Sequence, residues 1–340
     1  MIKEAIQTLV SGNSLTFKEA AQVMEEIMTG EATPAQFAAF VTALRIKGET
    51  VDEIAGLASV MRSKATPVPI TGPVIDTCGT GGDGSLTFNI STAAAFVAAG
   101  AGLRVAKHGN RAMSSKCGSA DVLEALGVKI DLGAEAVAQC LETVGMGFMF
   151  APVFHPAMKY ATAPRREIGI RSVFNVLGPL TNPARAEYQV LGVPNEELGE
   201  KIASVLYRLG TKHSLVVHGI GGMDEISISR ESLVWDVTES GVSPPYEIRP
   251  EDFGFEKTNM EEIKGGTPDA NAGIIRRTLS GERGPKRDVV VMNAAAALAA
   301  GNQTSDFKEG ARIAEKTIDS GQAQAKLEEL INFSQNIKVG

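Results

Sequence analysis

Four glycines fall within six residues, Gly79, Gly81, Gly82 and Gly84, with Asp83 among them. A polar collar follows, Thr87, Asn89, Ser91 and Thr92, and then the apolar run Ala93–Ala99. Glycines at this density let the main chain adopt positive φ and let an anion approach backbone N–H groups closely. Ser91 and Thr92 stand where an N-cap belongs, so the next helix is expected to aim its positive end at the same place. The chemistry this suits is phosphate binding. From Gly84 to Ala120 there is no Asp or Glu, whereas Arg104, Lys107, His108, Arg111 and Lys116 all occur there. The chain as a whole carries a net charge of -7, which argues against nonspecific nucleic-acid binding. A positive, acid-free stretch on an acidic protein fits a small polyanionic substrate.

Three further groups could act with the glycine loop. Residues 107–119 form a long loop dense in cations, hydroxyls and N–H groups, suited to a second phosphate, with Ser119 as the expected cap of the next helix. His108 has no carboxylate or second histidine near it in sequence, and alone it reads as structural. Asp224 and Glu225 follow an apolar run ending near His218; paired carboxylates at a strand's end suit Mg²⁺, which takes oxygen ligands and bridges to substrate phosphates. Arg165, Arg166 and Arg171 surround a helix end, and one of them could fork onto a substrate carboxylate. Gly79–Gly84 formally matches the dinucleotide pattern GxGxxG, but the helix opens later and no acidic residue stands about 20 positions on. No Gly-Lys pair occurs, which excludes a P-loop. No nucleophile or acid–base dyad is evident.

The elements that must position these residues divide in two. The first seventy residues read as four amphipathic helices: Ala5, Leu9 and Val10 on one face, Phe17 to Ile27 on the next, then Thr33-Pro34 opening a third, and Val51 to Met61 a fourth. From Gly72 strands and helices alternate, with strands expected at Val74–Ile75, Leu103–Ala106, Val128–Ile130, Phe148–Ala151, Val190–Val193 and Leu215–His218. Pro156–Ile168 reads as a helix, and Leu233–Phe255 as an antiparallel excursion. Val289–Met292, an alanine helix and two polar-faced helices from Phe307 to Phe333 close the chain. The fold class is therefore α/β: a small N-terminal helical domain, 1–70, and a larger domain, 71–340, with a mainly parallel sheet flanked by helices. Ligands of such sheets sit beyond the carboxyl ends of the strands. No secretory leader or apolar run of bilayer length is present, and three cysteines without CxxC spacing make no disulfide framework, so the cytoplasm is the expected compartment.

Taken together, Gly79-Thr-Gly-Gly-Asp83, Asn89-Ile-Ser-Thr92, Lys107-His-Gly-Asn-Arg111 and Arg171 to Pro183, with Asp224-Glu225, resemble the anthranilate phosphoribosyltransferases of tryptophan biosynthesis over nearly the whole chain. Ser172, where that family often has Thr, is a conservative difference. The resemblance implies a homodimer contacting through the helical part, to which segment 155–185 also contributes. It also implies two Mg²⁺ ions acting with phosphoribosyl pyrophosphate, and neither nucleic acid nor membrane as partner. It assigns Gly79, Gly82, Asp83, Thr87, Asn89, Ile90, Ser91 and Thr92 to the pyrophosphate and ribose end. Lys107, His108, Gly109, Asn110, Arg111, Ala112, Met113, Ser114 and Ser115, with Ser119, close over the same substrate. Gly79, Asn110 and Arg165 would meet anthranilate, with His155 and Met158 near its path, and Ser91, Asp224 and Glu225 would form the metal shell. No catalytic dyad is implied. The alternatives are a pyrimidine nucleoside phosphorylase and a non-enzymatic nucleic-acid-binding relative of the same fold.

Overall fold

The structure, a computed structural model, describes residues 1–112 and 116–337. Four helices open it: α1 (Ile2–Val10), α2 (Phe17–Thr29), α3 (Pro34–Lys47) and α4 (Val51–Lys64). The last three each start with a reciprocal capping box, Thr16/Glu19, Thr33/Gln36 and Thr50/Glu53, which satisfies N–H groups left over at a helix start. Ala5 and Leu9 are buried as expected, but Val10 is 68% exposed, because the apolar stripe of so short a helix passes through Ile2, Ala5 and Leu9.

The sheet then begins with β1 (Ile75–Gly79), α5 (Ile90–Gly100), β2 (Val105–Gly109), α6 (Ser119–Ala125), α7 (Ala134–Thr143) and β3 (Met146–Phe150). Short helices α8 (Ala151–Phe154), α9 (Lys159–Ile168) and α10 (Phe174–Leu177) lead to β4 (Tyr188–Gly192), α11 (Glu196–Arg208) and β5 (His213–Gly219). An antiparallel group follows, β6 (Ser232–Thr238), β7 (Gly241–Val242) and β8 (Tyr246–Ile248), as expected for that region. Four helices, α12 (Pro268–Leu279), α13 (Pro285–Ala300), α14 (Phe307–Asp319) and α15 (Gln322–Asn336), complete the chain.

Strand order is β3-β2-β1-β4-β5-β6-β7, and β1 to β5 are parallel. The chain moves outward from β1 to β3, then returns to lay β4 against the other side of β1. That reversal leaves a crevice beyond the carboxyl ends of β1 and β4, the place where open α/β sheets take ligands. The glycine loop emerges there.

One expected strand is absent, and one late apolar run of undecided type is helical. Val128–Ile130 is irregular: Val128 N–H donates to Leu123 O and Lys129 N–H to Ser334 Oγ, so no ladder can form. Val289–Met292 is continuous with the alanine run in α13, which is buried on every side from Val289 to Ala300. A short apolar run carries no period that separates a buried strand from a buried helix. Two caps also differ. Helix α5 opens at Ile90 with Asn89 as the flanking residue, and α6 opens at Ser119 itself, with Gly118 before it.

Two apolar clusters form the core. One surrounds α5, α13 and β1–β3. The other joins α1–α4 to Ala161, Val173, Phe174, Leu177 and Leu180, and continues to Val205 of α11 and Trp235 of β6. Residues of the 155–185 segment are thus packed with the N-terminal helices.

Candidate active site

The site is built where β1 and β4 end. Thr80 N–H donates to Gly192 O at 2.9 Å, which turns the loop over the end of β4. Gly81 and Gly82 follow with φ of 75° and 71°, a region that L side chains avoid. Asp224 reaches across from the turn after β5, and its Oδ2 accepts the Gly81 N–H at 2.7 Å. A Cβ at Gly79 would overlap the Asp224 carboxylate, and one at Gly192 would overlap the Asp224 backbone. Both strands therefore end in glycine so that Asp224 can lie on top of them. Gly192 escaped the sequence reading, since nothing local marks a glycine needed by a residue 32 positions away.

The start of α5 supplies the next groups. Glu225 Oε1 accepts the Ser91 N–H at 3.0 Å, and Asp83 Oδ2 accepts the Asp224 N–H at 3.5 Å. Three carboxylates thus gather around the glycine loop and the first turn of α5. Burial, and then the charge of Asp83, hold the Asp224 carboxyl well above the ordinary range; burial, and then Asp224, do the same to Glu225. Carboxyls that resist ionising beside one another are relieved by a cation. Among the described residues no three His, Cys, Asp or Glu side chains form a ready metal cage. The donors are hard oxygens, too few to enclose an ion, which suits Mg²⁺ retaining waters and using substrate phosphate oxygens.

Lys107, in the middle of β2, is 1% exposed; its ammonium donates to Thr77 O, and to Ser91 Oγ at 3.4 Å. It stands under the same helix start as Glu225. Asn89 acts differently from a free ligand: its Oδ1 accepts from Asn271 Nδ2 at 2.9 Å and its Nδ2 donates to Cys117 O at 3.1 Å. Asn271 is buried and also accepts the Gly266 N–H, so a segment far along the chain backs the collar. Thr87 pairs with Lys264 in an isolated bridge. Ile90 and Thr92 are buried in the first turn of α5.

The 107–119 loop is only partly brought to this centre. Arg111 donates to Asp121 at 3.0 Å and to both Glu124 oxygens, at 2.8 and 3.1 Å, and so is committed to α6. Asp121 Oδ2 also accepts the Ala112 and Gly118 N–H groups, closing the loop on itself. Ser119 Oγ donates to Asn110 O at 3.5 Å, and Gly109 ends β2. Met113, Ser114 and Ser115 lie outside the described residues. His108 is turned away: its ring centroid is 5.0 Å from that of His155. Burial pushes His108 down to about 3 and His155 down to about 4, so both are neutral at pH 7. The second histidine that His108 lacked in sequence is supplied in space, across from α8.

Arg165 sits in the last turn of α9, its guanidinium 5.3 Å from the Phe174 ring. Arg166 is exposed, and Arg171 reaches the carbonyls of Gly81 and Gly82. Of the three arginines, Arg165 is the one held half-buried against an aromatic face, suited to a small carboxylate.

Residues 71–324 match the a/b domain of a glycosyl transferase family, and residues 3–65 match that family's helical bundle domain. The chain is 57% identical to the anthranilate phosphoribosyltransferase of Dehalococcoides mccartyi over the full length of both. It is 61% identical to that of Chloroflexus aggregans, covering 98% of each. Among solved structures it is similar to the anthranilate phosphoribosyltransferase of Thermus thermophilus, with TM-score 0.92, 44% identity, and 97% of this chain and 99% of that one covered. It is also similar to the Saccharomyces cerevisiae enzyme in complex with phosphoribosyl pyrophosphate and Mg, with TM-score 0.91, 30% identity, and coverage of 99% and 98%.

Proposed function

The chain belongs to the anthranilate phosphoribosyltransferase family, and from that premise we infer that it transfers the 5-phosphoribosyl group of phosphoribosyl pyrophosphate to the amine of anthranilate. Pyrophosphate leaves, and the product, N-(5-phosphoribosyl)anthranilate, belongs to tryptophan biosynthesis. The observation that carries this reading is the meeting of the glycine loop, the start of α5 and the Asp224–Glu225 pair at the sheet's switch point. Purified protein given phosphoribosyl pyrophosphate, Mg²⁺ and anthranilate should deplete anthranilate fluorescence. No depletion at any protein concentration would reject the reading.

The chemistry asks for positioning more than for proton transfer. An aniline nitrogen is neutral at pH 7 with its lone pair free, so it attacks C1 of the ribose without a base, and the substrate's own ortho carboxylate can help to take the proton. The protein must hold the reactants in line and stabilise the departing pyrophosphate. In this reading Gly79, Gly82, Asp83, Thr87 and the first turn of α5 receive the diphosphate and ribose. Lys107 contributes charge from below, and the loop from Gly109 to Ser115, with Ser119, covers the substrate, while His108 stays turned towards His155. Asp224, Glu225 and Ser91 would hold Mg²⁺, which would supply charge to neutralise the leaving group, and two ions per subunit are proposed. Arg165 and Asn110, with Gly79, orient anthranilate. The yeast relative solved with phosphoribosyl pyrophosphate and Mg supports the metal and substrate class.

The same reading divides the chain into a helical domain, 1–70 with segment 155–185, and an α/β domain, 71–340. It makes the enzyme a cytoplasmic homodimer associating through the helical domain. Light scattering should give twice the chain mass; a monomer at working concentration would reject that assembly. No helix among the described residues is long and apolar enough to cross a membrane.

A further inference from the structure

Arg171 lies six residues beyond Arg165, in the turn between α9 and α10, yet its side chain serves the other half of the site. Its Nη1 donates to Gly82 O at 2.6 Å and its Nη2 to Gly81 O at 2.9 Å. A guanidinium forked onto two successive carbonyls fixes two peptide planes at once. A Cβ at Gly82, whose φ is 71°, would overlap that guanidinium and push it off the fork. Gly81 is held from the other direction, because its N–H goes to Asp224. The base of the clamp is firm. Ser172 N–H donates to Asn175 Oδ1 at 3.0 Å, while Val173 and Phe174 are buried with the N-terminal helices, Phe174 against Phe37 at 5.2 Å. Phe174 also carries the Arg165 guanidinium on its ring.

We propose that Arg171 is a positioning residue that holds the glycine loop in the conformation receiving the pyrophosphate, and ties that loop to the segment carrying Arg165. The proposal rests on the reading of this loop as the pyrophosphate site. Its first test does not depend on activity.

Amide hydrogen exchange of the ligand-free protein should quicken at residues 80–84 in Arg171→Ala and stay at the wild-type rate in α1–α4. Arg171→Lys keeps the charge without the planar fork and should fall between the two; it also serves if the alanine variant does not fold. In steady-state assays Arg171→Ala should raise the KM for phosphoribosyl pyrophosphate about tenfold, the scale of losing two exposed charge-assisted hydrogen bonds to the loop, with the KM for anthranilate within about twofold. Unchanged exchange at 80–84, or equal rises in both KM values, would overturn the proposal. Wild-type protein without transferase activity would sink the functional reading instead, leaving the exchange measurement to decide the clamp.

Discussion

Under the proposed function, Arg165 and the acidic pair divide the residue-scale chemistry between the two substrates. Burial lowers the pKa of Arg165, and its guanidinium lies over the Phe174 ring. Arg165→Ala is expected to raise the KM for anthranilate roughly tenfold or more and that for phosphoribosyl pyrophosphate far less, as for loss of a charged hydrogen bond. Equal effects would remove it from the acceptor site. Asp224 and Glu225 have folded-state pKa values above their ordinary ones, so the folded protein binds more protons than the unfolded chain. Their contribution to stability is therefore lost as pH rises above the ordinary carboxylate range. Mg²⁺ needs both groups ionised and should restore it. Thermal shift by Mg²⁺ should be larger near pH ~8.5 than near pH ~6, and absent in Asp224→Asn with Glu225→Gln. A shift that survives in the double variant would take these carboxylates out of the metal shell.

Individual elements carry their own titration. His213 begins β5, its Nε2 3.0 Å from Asp236 on β6 and its Nδ1 2.7 Å from Asn302, just after α13. The Asp236 carboxylate beside it, opposed by burial, raises its pKa. A raised histidine stabilises fully below its unfolded pKa, and that stability disappears as pH climbs through the folded value. Half-exposed, the contact is expected to contribute about 0.5–1 kcal/mol. Asp236→Asn should lower the urea midpoint near pH ~5.5 and match wild type near pH ~8.5; a deficit of the same size at both would separate the effect from His213 ionisation.

Across the whole molecule, Arg62 is the strut. It leaves α4 and donates to Leu180 O and, at 3.3 Å, to Leu209 O, joining the N-terminal helices to the end of the 155–185 segment and to α11. Burial, and then Arg185, push its pKa down to about 10, so it remains charged at neutral pH. Arg62→Ala strands two carbonyls and should cost about 1–3 kcal/mol, lowering Tm by several degrees. An unchanged Tm would mean that the two carbonyls find water at no cost.

Local chemistry made much of this legible before any tertiary contact was known. The Thr33-Pro34 helix start, the glycine density at 79–84 and the acid-free stretch behind it need only neighbours in sequence, so the helical start, the α/β alternation and the glycine loop could be read from residue types. Gly192, Asn271 and the His108–His155 contact could not, because each is defined by a partner many residues away. The same holds for Val289–Met292: its apolar run fits strand or helix, and only burial on every side within α13 decides between them. Arg171 is the clearest case. Residue types alone offered three neighbouring arginines of equal standing, and only the family resemblance singled out Arg165; packing of α9 and α10 gave Arg165 an aromatic face and gave Arg171 two glycine carbonyls, since direction in space depends on what each turn is packed against.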